Sequence, residues 1–202
     1  MPLRSLLDRA HGWRRAVICA ALIMLGATAA AAAPSTYSID PEGSQVQFFV
    51  DFGEDEISGN MRLVRADLQL DLRNPARSRV DVAVDASHAT AGFPFATQAM
   101  RGPRILDSAN HPLITFASKR VLALGASNAR IDGDITIRAV TRPISLDAKI
   151  YRARDSQPGD LSKLTIVLTG KVPRSQFGAT GWDDLVGDEV RLRILARIHR
   201  VD

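Results

Sequence analysis

Apolar and polar residues alternate with a period of two along most of the chain after residue 34. In residues 144–150, Ile-Ser-Leu-Asp-Ala-Lys-Ile, every second side chain is apolar. The same alternation recurs in residues 66–73, 80–85, 130–138 and 190–199. Successive side chains of a β-strand point to opposite faces, so the pattern predicts strands with one buried and one solvated face. Such strands are typical of antiparallel sheets, and we expect roughly eight or more of them.

Turn-forming residues separate the predicted strands at residues 74–75, 125–128, 141–143 and 157–160. The third of these, Thr141-Arg142-Pro143, predicts a tight turn because proline fixes its φ near the value that turns require. No internal repeat or linker interrupts the pattern, which predicts a single all-β domain. A closed barrel and a two-sheet sandwich both fit, because alternation alone does not distinguish them.

Residues 91–112 break the strand pattern. This segment contains Gly92, Pro94, Gly102, Pro103 and Pro112 and shows no alternation. Within it, residues 97–101 predict a turn or two of helix. A connection of this length is uncommon between strands unless it has a function, often as a lid or a binding segment.

The chain has 202 residues, of which 46% are apolar and only 5% aromatic. This length suits one domain with a sizeable core, and the apolar share excludes a disordered, collagen-like or disulfide-framework protein. The inward-facing residues of the predicted strands are mostly valine, isoleucine, leucine and alanine. Composition alone favours an interior in which these side chains pack on one another over a cavity that holds an apolar chain.

Most of the formal net charge of +4 comes from the first 33 residues. Four arginines face a single acid there, whereas the rest of the chain is nearly neutral. A basic start, an apolar run over residues 16–25 and an alanine string ending at Ala33 form the order of a secretory signal peptide. We predict a signal peptide over residues 1–33, cleaved between about Ala29 and Ala33, and a mature domain over residues 34–202. The competing interpretation is an uncleaved membrane anchor over residues 16–33.

Export limits the chemistry open to the mature domain. The only cysteine, Cys19, lies in the predicted signal peptide, so the mature protein would have no disulfide, catalytic thiol or thiolate metal site. Basic residues are scattered beside acids without interleaved aromatic residues, which argues against nucleic-acid binding. The basic leader with its alanine-rich end favours the bacterial periplasm as the destination.

Three histidines remain after the leader, His88, His111 and His199, and their spacing does not suit a shared metal ion. For His88 or His111 to act as a general base, a carboxylate such as Asp85 or Asp107 would have to orient the imidazole. The sequence has no hydrolase nucleophile elbow, phosphate-binding loop or dinucleotide fingerprint. We therefore expect no enzymatic activity, no metal and no cofactor.

Six segments of motif residues follow one another along the chain. Residues 37–59 read as a first hairpin, and residues 100–107 and 111–118 as a loop insertion with the strand after it. Residues 133–143, Gly-Asp-Ile-Thr-Ile-Arg-Ala-Val-Thr-Arg-Pro, form the most specific stretch, and residues 174–178 and 186–190 form a final pair. In order and spacing these motifs resemble those of the YceI-like family of exported lipid-binding proteins. The resemblance extends from about Tyr37 to Ala196.

The resemblance implies a lipocalin-like, elongated antiparallel β-barrel with a short helical insertion. It also implies a periplasmic location and a polyisoprenoid or other long-chain, fatty-acid-type lipid as the bound partner, with a homodimer left open. The expected ligand-binding residues are Phe48, Val50 and Phe116 in the cavity wall and Phe93, Phe95 and Met100 on the loop that closes it. The alternative function is a structural or stress-response β-domain with a packed core that acts through protein partners.

Overall fold

Antiparallel strands and one short helix make up the fold in the computed structural model, which describes residues 33–153 and 156–201. The helix, α1, spans Pro94–Arg101, and two single 3-10 turns span Pro75–Arg77 and Arg174–Phe177. The nine strands of these residues are β1 Ser35–Ile39, β2 Gln45–Phe52, β3 Asp55–Leu70, β4 Arg79–Ala91, β5 Leu113–Ala123, β6 Asn128–Ile137, β7 Val140–Arg152, β8 Lys163–Pro173 and β9 Val186–Arg200.

Strands β2 to β9 form a closed barrel of eight strands. Each pairs with the next along the chain, and β9 returns to pair with β2, where Phe48 lies opposite Leu192. Strand β1 pairs with β3 and β9, the same two neighbours that β2 has. The two strands therefore occupy one position in the barrel, with a break between them. The longest strands have 15 and 16 residues and therefore reach about 50 Å. The predicted all-β, elongated antiparallel barrel is confirmed, and the sandwich is excluded.

The alternation of apolar and polar residues along each strand matches the inner and outer faces of the barrel. In β7, Ile144, Leu146 and Ala148 are buried, whereas the residues between them are exposed. The outward side chains of neighbouring strands pair their charges, as Arg130 of β6 does with Asp147 of β7, at 3.0 Å. The alternation in the sequence therefore predicted correctly which residues face the interior.

The turn between β6 and β7 begins three residues earlier than predicted. Arg138 and Ala139 have φ values of 51° and 62°, and Ile137 pairs directly with Val140. Two central residues with positive φ make the tight hairpin turn whose twist matches that of the strands. Pro143 instead lies within β7, before Asp147, where pairing with β8 begins. The predicted turn at residues 141–143 is therefore wrong, because proline is tolerated where a strand lacks a partner on one side.

The predicted helix within residues 97–101 is confirmed and is one turn longer. Pro94 occupies the first turn of α1, where its missing N–H has no intrahelical partner to lose. Apart from Ala33, the predicted signal peptide over residues 1–33 lies outside the described residues. Within residues 33–153 and 156–201, no helix is long and apolar enough to cross a membrane.

The two ends of the barrel differ. At the end here called the closed end, a buried cluster fills the interior between the β3–β4 and β7–β8 connections. Tyr37 anchors this cluster by donating its hydroxyl hydrogen to the carbonyl of Leu161, at 2.8 Å, and burial raises the pKa of the phenol. The opposite end, called the open end, carries α1, the β2–β3 and β6–β7 turns and the β8–β9 connection.

Candidate functional site

A cavity of about 550 Å³ occupies the barrel interior. Residues from all eight barrel strands line it, together with α1 and the β8–β9 connection. Its volume falls within the range of about 300–1,000 Å³ that is typical of small-molecule sites. The packed interior favoured by composition alone is therefore wrong, because alternation shows which residues face inward but not how far apart the walls stand.

The cavity wall is almost entirely apolar. Among the described residues that line it, the side chains with nitrogen or oxygen atoms are Ser44, Gln45, Arg62, Thr115, Arg174 and Trp182. No carboxylate of the described chain is part of the wall. Such a surface favours a ligand that is largely hydrocarbon, since unpaired polar groups of a ligand would lose their hydration there.

Strand glycines keep the cavity open. Gly59 lies directly opposite Phe48 in the β2–β3 ladder, and a Cβ at Gly59 would collide with the ring. A Cβ at Gly133 would likewise lie 2.7 Å from the ring of Phe116 and would collide with the carbonyl of Ala117. Each phenyl ring therefore lies against the wall, over a glycine, rather than projecting into the interior.

The helix α1 is fixed to the barrel beside the open end. The Thr97 hydroxyl accepts the Ala91 N–H at 2.9 Å and donates to the Ala91 carbonyl at 3.1 Å. The Arg101 Nε donates to the Ala89 carbonyl at 2.8 Å. These bonds fasten the middle and the last residue of α1 to β4 and hold its apolar residues over the cavity.

The β8–β9 connection forms the other side of the open end. Trp182 has a φ of 54°, and its carbonyl accepts the N–H groups of Leu185, at 3.1 Å, and Val186, at 2.7 Å. The Arg104 guanidinium lies over the Trp182 ring at 4.9 Å, and the Arg104 carbonyl accepts the Gly181 N–H at 3.0 Å. The segment after α1 and the β8–β9 connection therefore support one another.

Arg174 is only 7% exposed, and its guanidinium binds the backbone of the β8–β9 connection. Its Nε donates to the Gly187 carbonyl at 2.9 Å, and Nη2 to that of Val186 at 2.7 Å. Its Nη1 donates to the carbonyls of Ala179, at 2.6 Å, and Gly181, at 2.8 Å. Four carbonyl dipoles thus compensate the buried charge and fix the backbone of the connection around it.

The six predicted ligand-binding residues all line this cavity. Phe48, Val50 and Phe116 are buried in the wall, whereas Phe93, Phe95 and Met100 lie at the open end on or beside α1. The prediction missed Gly59 and Gly133, although an inward-facing glycine in a strand is itself a signal of close approach. It also missed Trp182 and Leu185, whose segment has no periodic pattern.

The histidines lie away from the cavity lining. The His88 Nδ1 is 2.7 Å from the Asp85 carboxylate, and the His111 Nε2 is 3.9 Å from that of Asp107. The two pairings that the sequence suggested therefore exist, but none of the four residues lines the cavity. Within residues 33–153 and 156–201, no group of three or more histidine, cysteine or acidic side chains is arranged to hold a metal ion.

Asp85 is buried, with 7% exposure, and organises an irregular part of β4. Its carboxylate accepts the N–H groups of Ser87, at 2.8 Å, and His88, at 3.1 Å, and lies 3.5 Å from the Arg62 guanidinium. Burial alone would raise the pKa of Asp85, but the hydrogen bonds from His88 and Ser87 outweigh it and lower the pKa. The ionised carboxylate therefore stabilises the fold.

Replacing Asp85 with asparagine is expected to cost about 1 kcal/mol at pH 7, because the amide keeps acceptor geometry but loses the charge. The pKa of Asp85 is lower in the folded than in the unfolded protein, so its contribution is fully present above about pH 4 and is lost as the pH falls below it. Urea unfolding at pH 7 and pH 3 should show the difference from wild type narrowing in acid. The exposed Asp67→Asn serves as control, and a difference independent of pH would contradict the assignment.

A closed eight-stranded antiparallel barrel around an apolar cavity defines a lipocalin-like protein. Within that class, the sequence model of one protein family, the YceI-like domain, matches residues 37–198. The chain therefore belongs to the YceI-like family, as its motifs suggested.

Individual bacterial relatives agree with this assignment. A UPF0312 protein of Vibrio vulnificus is 29% identical over 143 residues, which are 69% of this chain and 76% of the relative. Protein YceI of Escherichia coli O157:H7 is 30% identical over 137 residues, 65% of this chain and 70% of the relative.

Solved structures share the fold. Burkholderia cenocepacia BcnA superposes with a TM-score of 0.71 at 19% identity and covers 79% of this chain and 99% of its own. The Campylobacter jejuni YceI protein superposes with a TM-score of 0.62 at 20% identity and covers 71% of this chain and 84% of its own.

Proposed function

We propose that this protein binds one long apolar chain, a polyisoprenoid or a fatty-acid-type lipid, in the barrel cavity and carries or stores it in the periplasm. The apolar wall of the 550 Å³ cavity is the observation that carries the proposal. Each methylene group buried there contributes about 0.8 kcal/mol, so a chain of ten buried methylenes gains about 8 kcal/mol before its ordering costs.

The shape of the cavity favours an elongated ligand. Its lining extends from Leu70 and Ile198, near the closed end, to Phe93 and Phe95 at the open end. The tip of the chain would lie against the closed end, where packing is apolar. A polar head would lie at the open end, where it keeps its contact with water.

Binding rather than catalysis fits the position of the titratable groups. The His88–Asp85 pair lies off the cavity lining, so a ligand held inside would not meet its imidazole. The periplasmic location rests on the predicted signal peptide and on a mature domain without cysteine. A periplasmic carrier would shield an insoluble chain from the aqueous compartment between two membranes.

Lipid recovered from the purified protein tests the proposal. We expect native mass spectrometry and organic extraction to find a long-chain lipid bound to the wild type. Leu192→Trp, on the inward face of β9 opposite Phe48, should exclude at least two methylenes of a long ligand. That loss of about 1.6 kcal/mol lowers affinity more than tenfold.

Chain length and the opposite strand face supply the controls. Leu192→Trp should still bind shorter chains that stop before the obstruction, and its thermal unfolding checks that the barrel is intact. Arg193→Trp places the same side chain on the exposed face of β9 and should bind like the wild type. Failure to recover or load any lipid would refute the proposal and favour the structural domain that acts through protein partners.

A further inference from the structure

Three large apolar side chains are exposed around the open end of the barrel. Phe93 is 44% exposed, Phe95 66% and Leu185 50%, and we call these three residues the open-end patch. All three also line the cavity, so the exposed patch and the cavity wall form one continuous apolar surface. Exposed apolar groups that adjoin a binding cavity mark a contact surface more often than scattered single ones do.

Backbone hydrogen bonds hold the patch in place. Phe93 and Phe95 flank Pro94 at the start of α1, and the Thr97 N–H donates to the Phe93 carbonyl at 3.0 Å. On the other side, the Gly53 N–H donates to the Leu185 carbonyl at 2.9 Å. The exposed side chains therefore project from an ordered rim.

Charges of both signs surround the patch. Glu54 and Asp55 follow Gly53 at the tip of the β2–β3 hairpin, and Asp183 and Asp184 precede Leu185, all four exposed. Arg104 lies over Trp182, and Arg138 bonds the Gly178 carbonyl, which places two guanidinium groups at the same end. A strongly anionic surface would repel the four carboxylates, whereas zwitterionic headgroups offer an ammonium to each carboxylate and a phosphate to each guanidinium.

We propose that the open-end patch docks on the surface of a zwitterionic lipid bilayer, so that an apolar chain passes between bilayer and cavity without crossing water. The exchange step rests on the proposed lipid-binding function, whereas docking itself rests on the patch and the surrounding charges. Phenylalanine and leucine side chains at this end enter the boundary between headgroups and acyl chains, while the charged groups stay in the headgroup layer.

Vesicle flotation tests docking. Protein expressed from the full chain and recovered in its processed form is mixed with phosphatidylcholine vesicles. Wild type should float with the vesicles, and Phe93→Ser with Phe95→Ser should lower the partition coefficient at least about tenfold. Leu124→Ser alters a comparably exposed leucine in the β5–β6 turn at the closed end and should float like wild type. Replacing half of the lipid with phosphatidylglycerol should weaken binding.

Ligand exchange separates this proposal from the proposed function. Loading of the wild type with lipid from detergent micelles tests the cavity alone, without vesicles. Because Phe93 and Phe95 also line the cavity, the double variant is compared with the wild type at equal amounts of bound lipid. Release of that lipid to phosphatidylcholine vesicles should speed up with vesicle concentration for wild type and not for the double variant. If the double variant floats as the wild type does, or if flotation of the wild type requires anionic lipid, the docking proposal is wrong. Failed loading from micelles overturns the proposed function and leaves the flotation result intact.

Discussion

Replacing Gly133 with valine is expected to destabilise the barrel by about 3 kcal/mol or more and to narrow its cavity. The Cβ would collide with the carbonyl of Ala117, a backbone atom that the β5–β6 ladder holds in place, and would lie 2.7 Å from the Phe116 ring. Overpacking of this kind costs about 1–3 kcal/mol for side chains alone, and a displaced backbone adds to it. Since the wall lies behind Phe116, its ring has room to move only toward the interior.

Urea unfolding and lipid loading measure the two effects. Gly133→Ala adds the Cβ without the two methyl groups and should lose less stability than Gly133→Val. Arg130→Val places valine on the outward face of the same strand and should leave loading unchanged, because valine suits an exposed strand position. Wild-type stability together with wild-type loading in Gly133→Val would show that the glycine does not keep the cavity open.

Alternation was sufficient to predict the strands but not their closure. Residues 144–150 identify the inward face of β7 without reference to any other strand. The choice between barrel and sandwich depends instead on β9 pairing with β2, as Phe48 does with Leu192, nearly 150 residues apart in sequence. No local pattern indicates that pairing. Closure of the barrel could therefore be predicted only from the motifs that resemble the YceI-like family.

For the candidate site, too, the sequence predicts which strand residues face inward but not how their side chains are arranged. Phe48 and Phe116 could be placed on the wall because their parity in β2 and β5 points them inward. How their rings lie depends on Gly59 and Gly133 of neighbouring strands, which pair with β2 and β5 only in the folded barrel. Leu185 could not be placed at all, because contacts made by Arg174 and Gly53, rather than by any periodicity, fix its segment.

Replacing Arg174 with methionine is expected to destabilise the protein by about 3–5 kcal/mol. Four backbone carbonyls, on Ala179, Gly181, Val186 and Gly187, would lose their donor together, and buried acceptors without partners cost about 1–3 kcal/mol each before relaxation. Methionine follows the arginine side chain only as far as Nε, so the space left by the rest of the guanidinium adds to the loss. Arg174→Lys should recover only part of it, because an ammonium does not reproduce the planar fork of donors.

The loss should concentrate in the β8–β9 connection. Limited proteolysis of Arg174→Met is expected to cut within residues 179–187 before the rest of the barrel, and release of loaded lipid should be faster since Trp182 and Leu185 line the open end. Arg191→Met is the matched control: that arginine also makes short bonds, to Asp51 and Glu56 at 2.7 Å, but its side chain is 35% exposed and both carboxylates are more exposed still. Exposed ion pairs contribute little, so its loss should be much smaller. Equal losses for the two arginines would mean that the buried carbonyl contacts of Arg174 do not determine the order of the open end.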